Sequence, residues 1–211
     1  MTIFAEWLFR DPAYFVAWVG VVAFSVCVHE TAHAWTALAE GDDTAVRHGY
    51  GTLDPRRLMG WPALIALALF GIAWGSVPVI PSRFRHSWSD ALVAFAGPGT
   101  NLVLAVVCGL AYALTRRWAP GAESLVLVFR TGLEANCLLG VLNLLPVPPF
   151  DGWAIASFVM PPLRRVAAEQ LNMVSWVLIT VMLFTPASRM VYGAAHLVAS
   201  RINAVAQVLI G

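Results

Sequence analysis

The five residues His29-Glu30-Thr31-Ala32-His33 carry the most evident chemistry in this 211-residue chain. On an α-helix, positions 29 and 33 share a face and lie about 6 Å apart along the axis. Their imidazoles can therefore converge on one tetrahedral ion. Glu30 then neighbours the first ligand, and in soluble proteases with H-E-x-x-H spacing that carboxylate serves as general base on metal-activated water, not as a ligand. The stretch thus supplies two metal ligands and a base, whereas a catalytic zinc takes three protein ligands. The alternative is that all three are helix-interior residues hydrogen-bonded to neighbouring helices. The flanks "FSVCVHETAHAWTALAE" read as a membrane span, where ionisable groups are costly and mark function by default.

Seven residues separate His33 from Glu40, which places the pair about 10 Å beneath the polar boundary. A third ligand must reach that depth. Glu6, Asp11, Glu40, Asp42, Asp43, Asp54, Asp90, Glu123 and Glu169 stand at or near segment ends, which leaves Glu134 and Asp151. Glu134 has Arg130 one turn earlier, and an ion pair is its plainer role. Asp151 lies in "NLLPVPPFDG", where three prolines break the helix and can carry a carboxylate inward. A loop cap is its alternative role.

The elements that must hold these groups follow from composition and patterning. Hydrophobic residues make up 59% of the chain and charged ones 12%, with mean hydropathy +0.73; ordinary domains carry about 25% charged residues. This is an integral membrane protein. A net charge of +1 with scattered arginines offers no basic footprint for nucleic acid. Cys27, Cys108 and Cys137 are odd in number, lie in apolar segments and lack metal-ligand spacing, so buried free thiols are expected.

The first apolar run spans residues 13–39; without a basic region before it, it reads as a retained span and not a cleaved leader. The polar stretch "EGDDTAVRHGYGTLDPRR" follows, in which Tyr50 to Leu53 is a candidate edge strand. Residues 58–74 are apolar but interrupted by Gly60, Pro62 and Gly71, then pass into "GSVPVIPSRF". That piece either spans or re-enters, and is a candidate cavity wall. Uncharged or nearly uncharged runs at 91–114, 125–145 and 171–185 complete the spans. A tail carrying Arg189, His196, Ser200, Asn203 and Gln207 at helical steps predicts an amphipathic helix. The expected fold is an all-α polytopic transmembrane helix bundle of about five to six membrane segments with short extended or re-entrant pieces near the site. One domain covers 1–211, with its motif-bearing core at about 13–160 and further helices at about 171–211. Arginines in almost every connection leave the orientation open, and nothing fixes the oligomeric state.

Three motifs in order, His29-Glu30-x-x-His33, Gly97-Pro98-x-x-Asn101 and Asn143-x-x-Pro146-x-Pro148-x-x-Asp151-Gly152, strongly resemble the site-2 protease family of intramembrane zinc metalloproteases. "GYGTLDP" and "GSVPVIPSRF" resemble family pieces between the first two motifs, so the match covers roughly residues 21–152. The resemblance implies that His29, His33 and Asp151 bind one zinc ion and that Glu30 activates water. It also implies that Asn143 stabilises an oxyanion or orients a substrate carbonyl, its alternative being a helix–helix hydrogen bond. Gly97, Pro98 and Asn101 match as well, and close helix packing accounts for the small residues among them. Trp153 and Ala154 depart from the family's usual glycine and basic residue after Asp-Gly.

The implied activity is hydrolysis of a peptide bond in or near the transmembrane segment of another membrane protein, as in regulated intramembrane proteolysis. The expected partners are that substrate and the lipid bilayer, the expected location a prokaryotic cell membrane. A helical substrate must unwind before attack and could then add as a strand to Tyr50–Leu53 or Val77–Ile80. A zinc-binding membrane transporter or non-catalytic scaffold would use the same ligands. Glu30 separates the readings, because only hydrolysis requires a base. His48, His86 and His196 fall in connections or at interfaces, away from any ligand set.

Overall fold

Asp11 and Pro12 start the first long helix. The Asp11 carboxylate accepts from the Tyr14 amide at 3.0 Å, and Pro12 stands at the first helical position, where no amide hydrogen is needed. The computed structural model describes residues 3–210. A short 3₁₀ turn precedes α1 (Trp7–Arg10); then come α2 (Pro12–Ala39), α3 (Thr44–Arg47), α4 (Pro55–Leu58) and α5 (Gly60–Phe70). The second half comprises α6 (Ser89–Trp118), α7 (Glu123–Asn143), α8 (Asp151–Val159), α9 (Ala168–Phe184) and α10 (Ala187–Ile210). Among the described residues, α2, α6, α7 and α10 have the length and hydropathy to cross a membrane. The helical bundle of an integral membrane protein is therefore what the composition requires, with α5 and the 17-residue α9 as its shorter apolar members.

Small residues bring α2, α6, α7 and α10 together, as expected where lipid gives no hydrophobic drive to helix pairing. Gly132 of α7 lies against Cys108 of α6, Gly140 against Leu102, and Gly109 of α6 against Ile202 of α10. Ala195 and Ala199 of α10 join Ala105, Leu133 and Cys137 in one buried cluster. A second cluster joins Val22, Val26 and Cys27 of α2 to Leu58, Met59, Ala63 and Leu67 around α5, and to Ala135 of α7. All three cysteines are free thiols, Cys27 and Cys137 buried. Glu134 pairs with Arg130 at 3.0 Å, the arrangement their spacing predicts.

The segment 58–80 turns back along α2. Helix α5 has 11 residues and is about 16 Å long, half of what a bilayer core needs. Gly71, at φ +72°, ends it in the left-handed conformation that glycine adopts without strain. The Gly71 carbonyl accepts from Trp18 Nε1 at 3.0 Å, near the start of α2. From there residues 72–80 run back without regular structure until the Ile80 amide meets the Asp42 carboxylate at 2.6 Å, beyond the end of α2. The returning chain thus lies alongside α2. Tyr50–Leu53 is not a strand: it is a bend, and the Thr52 carbonyl is taken by the Thr31 hydroxyl of α2 at 2.6 Å.

Polar groups lock the end of α2 where it meets the returning chain. Asp42, fully buried, accepts from the Thr44 amide at 3.1 Å, from the Thr44 hydroxyl and from Ile80. Glu40 accepts from the Ser89 hydroxyl at the start of α6 and pairs with His86. The Ser89 hydroxyl, with His86 beside it, holds the Glu40 carboxyl below its usual range. A carboxyl depressed in the fold contributes stability that is complete above its unfolded pKa, near 4.5, and is lost as pH falls through the lower folded value. The unfolding temperature is therefore expected to fall as pH drops below that window, and Glu40→Gln is expected to make the fall shallower; circular dichroism melts across the acid range measure both. A second expectation concerns Gly152, whose added Cβ would lie 2.3 Å and 2.4 Å from the Leu145 and Leu144 carbonyl oxygens. Gly152→Ala forces backbone apart and should cost about 1–3 kcal/mol, read as a lowered melting temperature.

Candidate metal centre

Helix α2 carries His29, Glu30 and His33, all buried. The helical repeat brings the two imidazoles edge to face, with Nε2 atoms 3.0 Å apart. The third group arrives from far along the chain. Helix α7 ends at Asn143, and the following residues, with Pro146, Pro148 and Pro149, cannot continue it. Helix α8 then starts at Asp151, with Gly152 packed directly on the Leu144 and Leu145 carbonyls. That close approach aims Asp151 at the histidines: its Oδ2 lies 3.2 Å from His29 Nε2 and 3.5 Å from His33 Nε2. Of the two acids that the sequence leaves as candidates, the structure brings Asp151 to the histidines and pairs Glu134 elsewhere.

Hydrogen bonds on the far side of each ring decide what the facing nitrogens are. His33 Nδ1 lies 2.6 Å from the Val93 carbonyl; a carbonyl only accepts, so Nδ1 carries the proton. In the neutral ring Nε2 is then a bare acceptor. His29 Nδ1 lies 2.7 Å from Asn101 Oδ1, and the direction of that bond is set further away. Asn136 Nδ2 donates to the Gly132 carbonyl at 2.9 Å, which fixes the Asn136 amide. Asn136 Oδ1 therefore receives Asn101 Nδ2 at 2.9 Å, so Asn101 presents its oxygen to His29. His29 Nε2 is an acceptor too.

Three acceptor atoms thus converge: two imidazole nitrogens and a carboxylate oxygen. Asp151 Oδ2 is buried and, among the described residues, has no hydrogen-bond donor, a costly state for a charged group. A cation among the three relieves both the repulsion and the missing partner. Two imidazoles and a carboxylate are a ligand set that zinc accepts, with a fourth tetrahedral position open. Among the described residues, no other group of three or more His, Cys, Asp or Glu is placed to hold a metal; His86 instead pairs with Glu40 and stacks on Trp88.

Two glycines make room. An added Cβ on Gly97 of α6 would lie 2.4 Å from His33 Nε2 and 2.5 Å from His29 Nε2. Gly97 therefore faces the metal position itself, a role beyond the helix packing that its motif suggests. On Gly75 an added Cβ would lie 2.5 Å from Glu30 Cγ and 2.7 Å from Oε1, so the returning segment lies directly on the candidate base. Asn143 sits at the end of α7 with Nδ2 bonded to the Leu139 carbonyl at 3.1 Å, and among the described residues it makes no hydrogen bond to the ligands or to Glu30. Asn101 is the amide that contacts His29. Its signal in the sequence is its spacing of one turn from Gly97, which puts an amide on the face that meets the histidines.

Gly97→Ala is expected to abolish stoichiometric metal uptake while leaving α6 intact, because alanine suits a helix but its methyl would fill the space at the ligands. Metal content of the purified variant beside its helical circular dichroism checks this.

No family model and no solved structure matches the chain. Curated relatives do. It is 34% identical to "Putative zinc metalloprotease YwhC" of Bacillus subtilis over 79% of this chain and 78% of that protein. It is 32% identical to "Putative zinc metalloprotease Rip2" of Mycolicibacterium smegmatis over 86% of this chain and 74% of that protein. The Mycobacterium tuberculosis protein of the same name is 34% identical over 85% and 74%. With this identity over most of both chains, and with a His-His-Asp group in place, the chain belongs to the family of zinc metalloproteases that YwhC and Rip2 represent.

Proposed function

We propose that the protein is a site-2-protease-like intramembrane endopeptidase: it hydrolyses a peptide bond in or near the transmembrane segment of another membrane protein, with one zinc ion held by His29, His33 and Asp151. The observation that carries this reading is the convergence of three acceptors on a membrane helix beside a buried carboxylate that is not one of them. Bound there, zinc would polarise the scissile carbonyl and acidify a water molecule at the open position.

The chain's own residues supply the rest. Glu30, next to His29, takes a proton from the attacking water as its oxygen adds to the carbonyl carbon, and returns that proton to the amine nitrogen as the carbon–nitrogen bond breaks. The imidazoles stay oriented by Val93 and Asn101 throughout. A substrate helix must unwind to expose its amide, and the returning segment suits an extended strand. Within residues 72–79, the Ser76 amide bonds the Leu58 carbonyl; among the described residues no other amide of that stretch donates to a backbone carbonyl. Strand addition there would bring an extended substrate backbone past Gly75 and Glu30.

Glu30→Gln discriminates hydrolysis from transport or scaffolding. The variant is expected to retain zinc at wild-type stoichiometry and to lose cleavage of single-span membrane substrates by about 10²–10⁴-fold. Metal analysis paired with a reconstituted cleavage assay measures both, and wild-type turnover by Glu30→Gln would remove the base from the mechanism. Chelation should likewise stop cleavage, with activity restored by added zinc.

A further inference from the structure

Two amides and a hydroxyl form a buried chain leading away from His29. Asn101 of α6 and Asn136 of α7 are 0% and 2% exposed, and Ser25 of α2 is 1% exposed. Beyond the bonds already described, Asn136 Nδ2 also lies 2.9 Å from Ser25 Oγ. The connection therefore runs from the Gly132 carbonyl and Ser25 through Asn136 and Asn101 to His29 Nδ1, and it touches α2, α6 and α7.

The polarity of this chain has one fixed end. The Gly132 carbonyl can only accept, so Asn136 cannot turn its amide over without setting two oxygens against each other. Asn101 is held in turn, because its nitrogen must meet Asn136 Oδ1. A fixed Asn101 oxygen then permits one ring orientation and one proton position at His29. His33 needs no such device: its Nδ1 partner is a backbone carbonyl, whose direction the helix sets. An amide side chain carries no such guarantee, since its two ends have nearly the same shape and opposite hydrogen-bonding character.

We propose that Asn136, which contacts neither the ligands nor Glu30, is a positioning residue for the metal centre: anchored on Gly132, it fixes the Asn101 amide and through it the direction of His29 Nε2. This rests on the zinc reading of the His29, His33 and Asp151 group. Partners that orient ligating histidines are worth about 10–100-fold in metal affinity, and an anchor one step further out acts through the same bond.

The test is zinc affinity of the full chain in detergent, measured by chelator competition, together with the visible spectrum of the cobalt-loaded protein. Asn136→Leu, with the same branched skeleton but without hydrogen bonds, is expected to weaken zinc binding about tenfold and to shift the cobalt bands. Asn136→Asp, with its carboxyl protonated, can donate to the Gly132 carbonyl and keep an oxygen facing Asn101 Nδ2, so it should hold affinity within about threefold of wild type. Asn136→Ser leaves space for a water and takes the place of the leucine variant if that one does not fold, with the same expected loss. Wild-type affinity and an unchanged cobalt spectrum in whichever of these two folds would overturn the assignment, as would equal losses in the aspartate and leucine variants. A purely structural role would lower the melting temperature of metal-free protein without moving either readout. Failure of the wild-type chain to bind zinc at all would overturn the metal reading itself, an outcome distinct from any difference among the variants.

Discussion

Three lone pairs pointed at one another inside a membrane protein are the constraint on which the rest of this structure turns. His29 Nε2, His33 Nε2 and Asp151 Oδ2 lie between 3.0 and 3.5 Å apart; among the described residues no donor reaches the carboxylate oxygen. In water such a cluster would loosen or take up protons. Here the rings are held by an amide and a carbonyl behind them, and the carboxylate by a glycine contact behind it. The arrangement is stable only with positive charge at its centre. Burial, which makes each unsatisfied polar atom expensive, is what makes the site demand an ion.

That demand explains features that otherwise look like imperfect helix design. Pro98 stands inside α6, where its missing amide removes the helical bond to the Ala94 carbonyl, next to the Val93 carbonyl that meets His33. Gly97 and Gly75 have poor helix or strand propensity, yet each lies where a methyl group would meet His29 and His33 or Glu30. The prolines after α7 give up helical hydrogen bonds so that Asp151 can face inward. Small residues between α6 and α7 serve packing, whereas Gly97 serves the site. The same residue type does two jobs on one helix.

Much of this was legible in the sequence, and for physical reasons. The spacing of His29 and His33 states a helix face, and the apolar flanks state its depth. Asp151 emerged because the other carboxylates had solvated positions or, in Glu134, a partner one turn away. What stayed hidden depended on tertiary direction. Residues 58–74 are apolar enough to suggest a crossing, and only the left-handed glycine at position 71 reveals that the chain turns back. Tyr50–Leu53 has the residues of a strand, but with the Thr52 carbonyl taken by Thr31 it folds as a bend. In one dimension Asn101 reads as part of a helix-packing motif and Asn143 as the amide for a substrate carbonyl. Their roles diverge because one stands a turn from Gly97 on the face that meets His29, while the other is bonded back to its own helix.

The returning segment runs past the candidate metal centre to the far end of α2. It is pinned near the start of α2 by Trp18 and beyond its end by Asp42, with Ser76 tied to Leu58 between them. Those anchors hold Gly75 against Glu30 without using the remaining amides of the stretch. A helix at this position would satisfy its own backbone and leave nothing for an incoming chain; an exposed strand edge in lipid would be prohibitively polar. An extended strand lying along α2, partly buried and partly unpaired, meets both conditions. The departure from regular structure at Gly71 is thus what would let the proposed protease face a polypeptide as well as an ion.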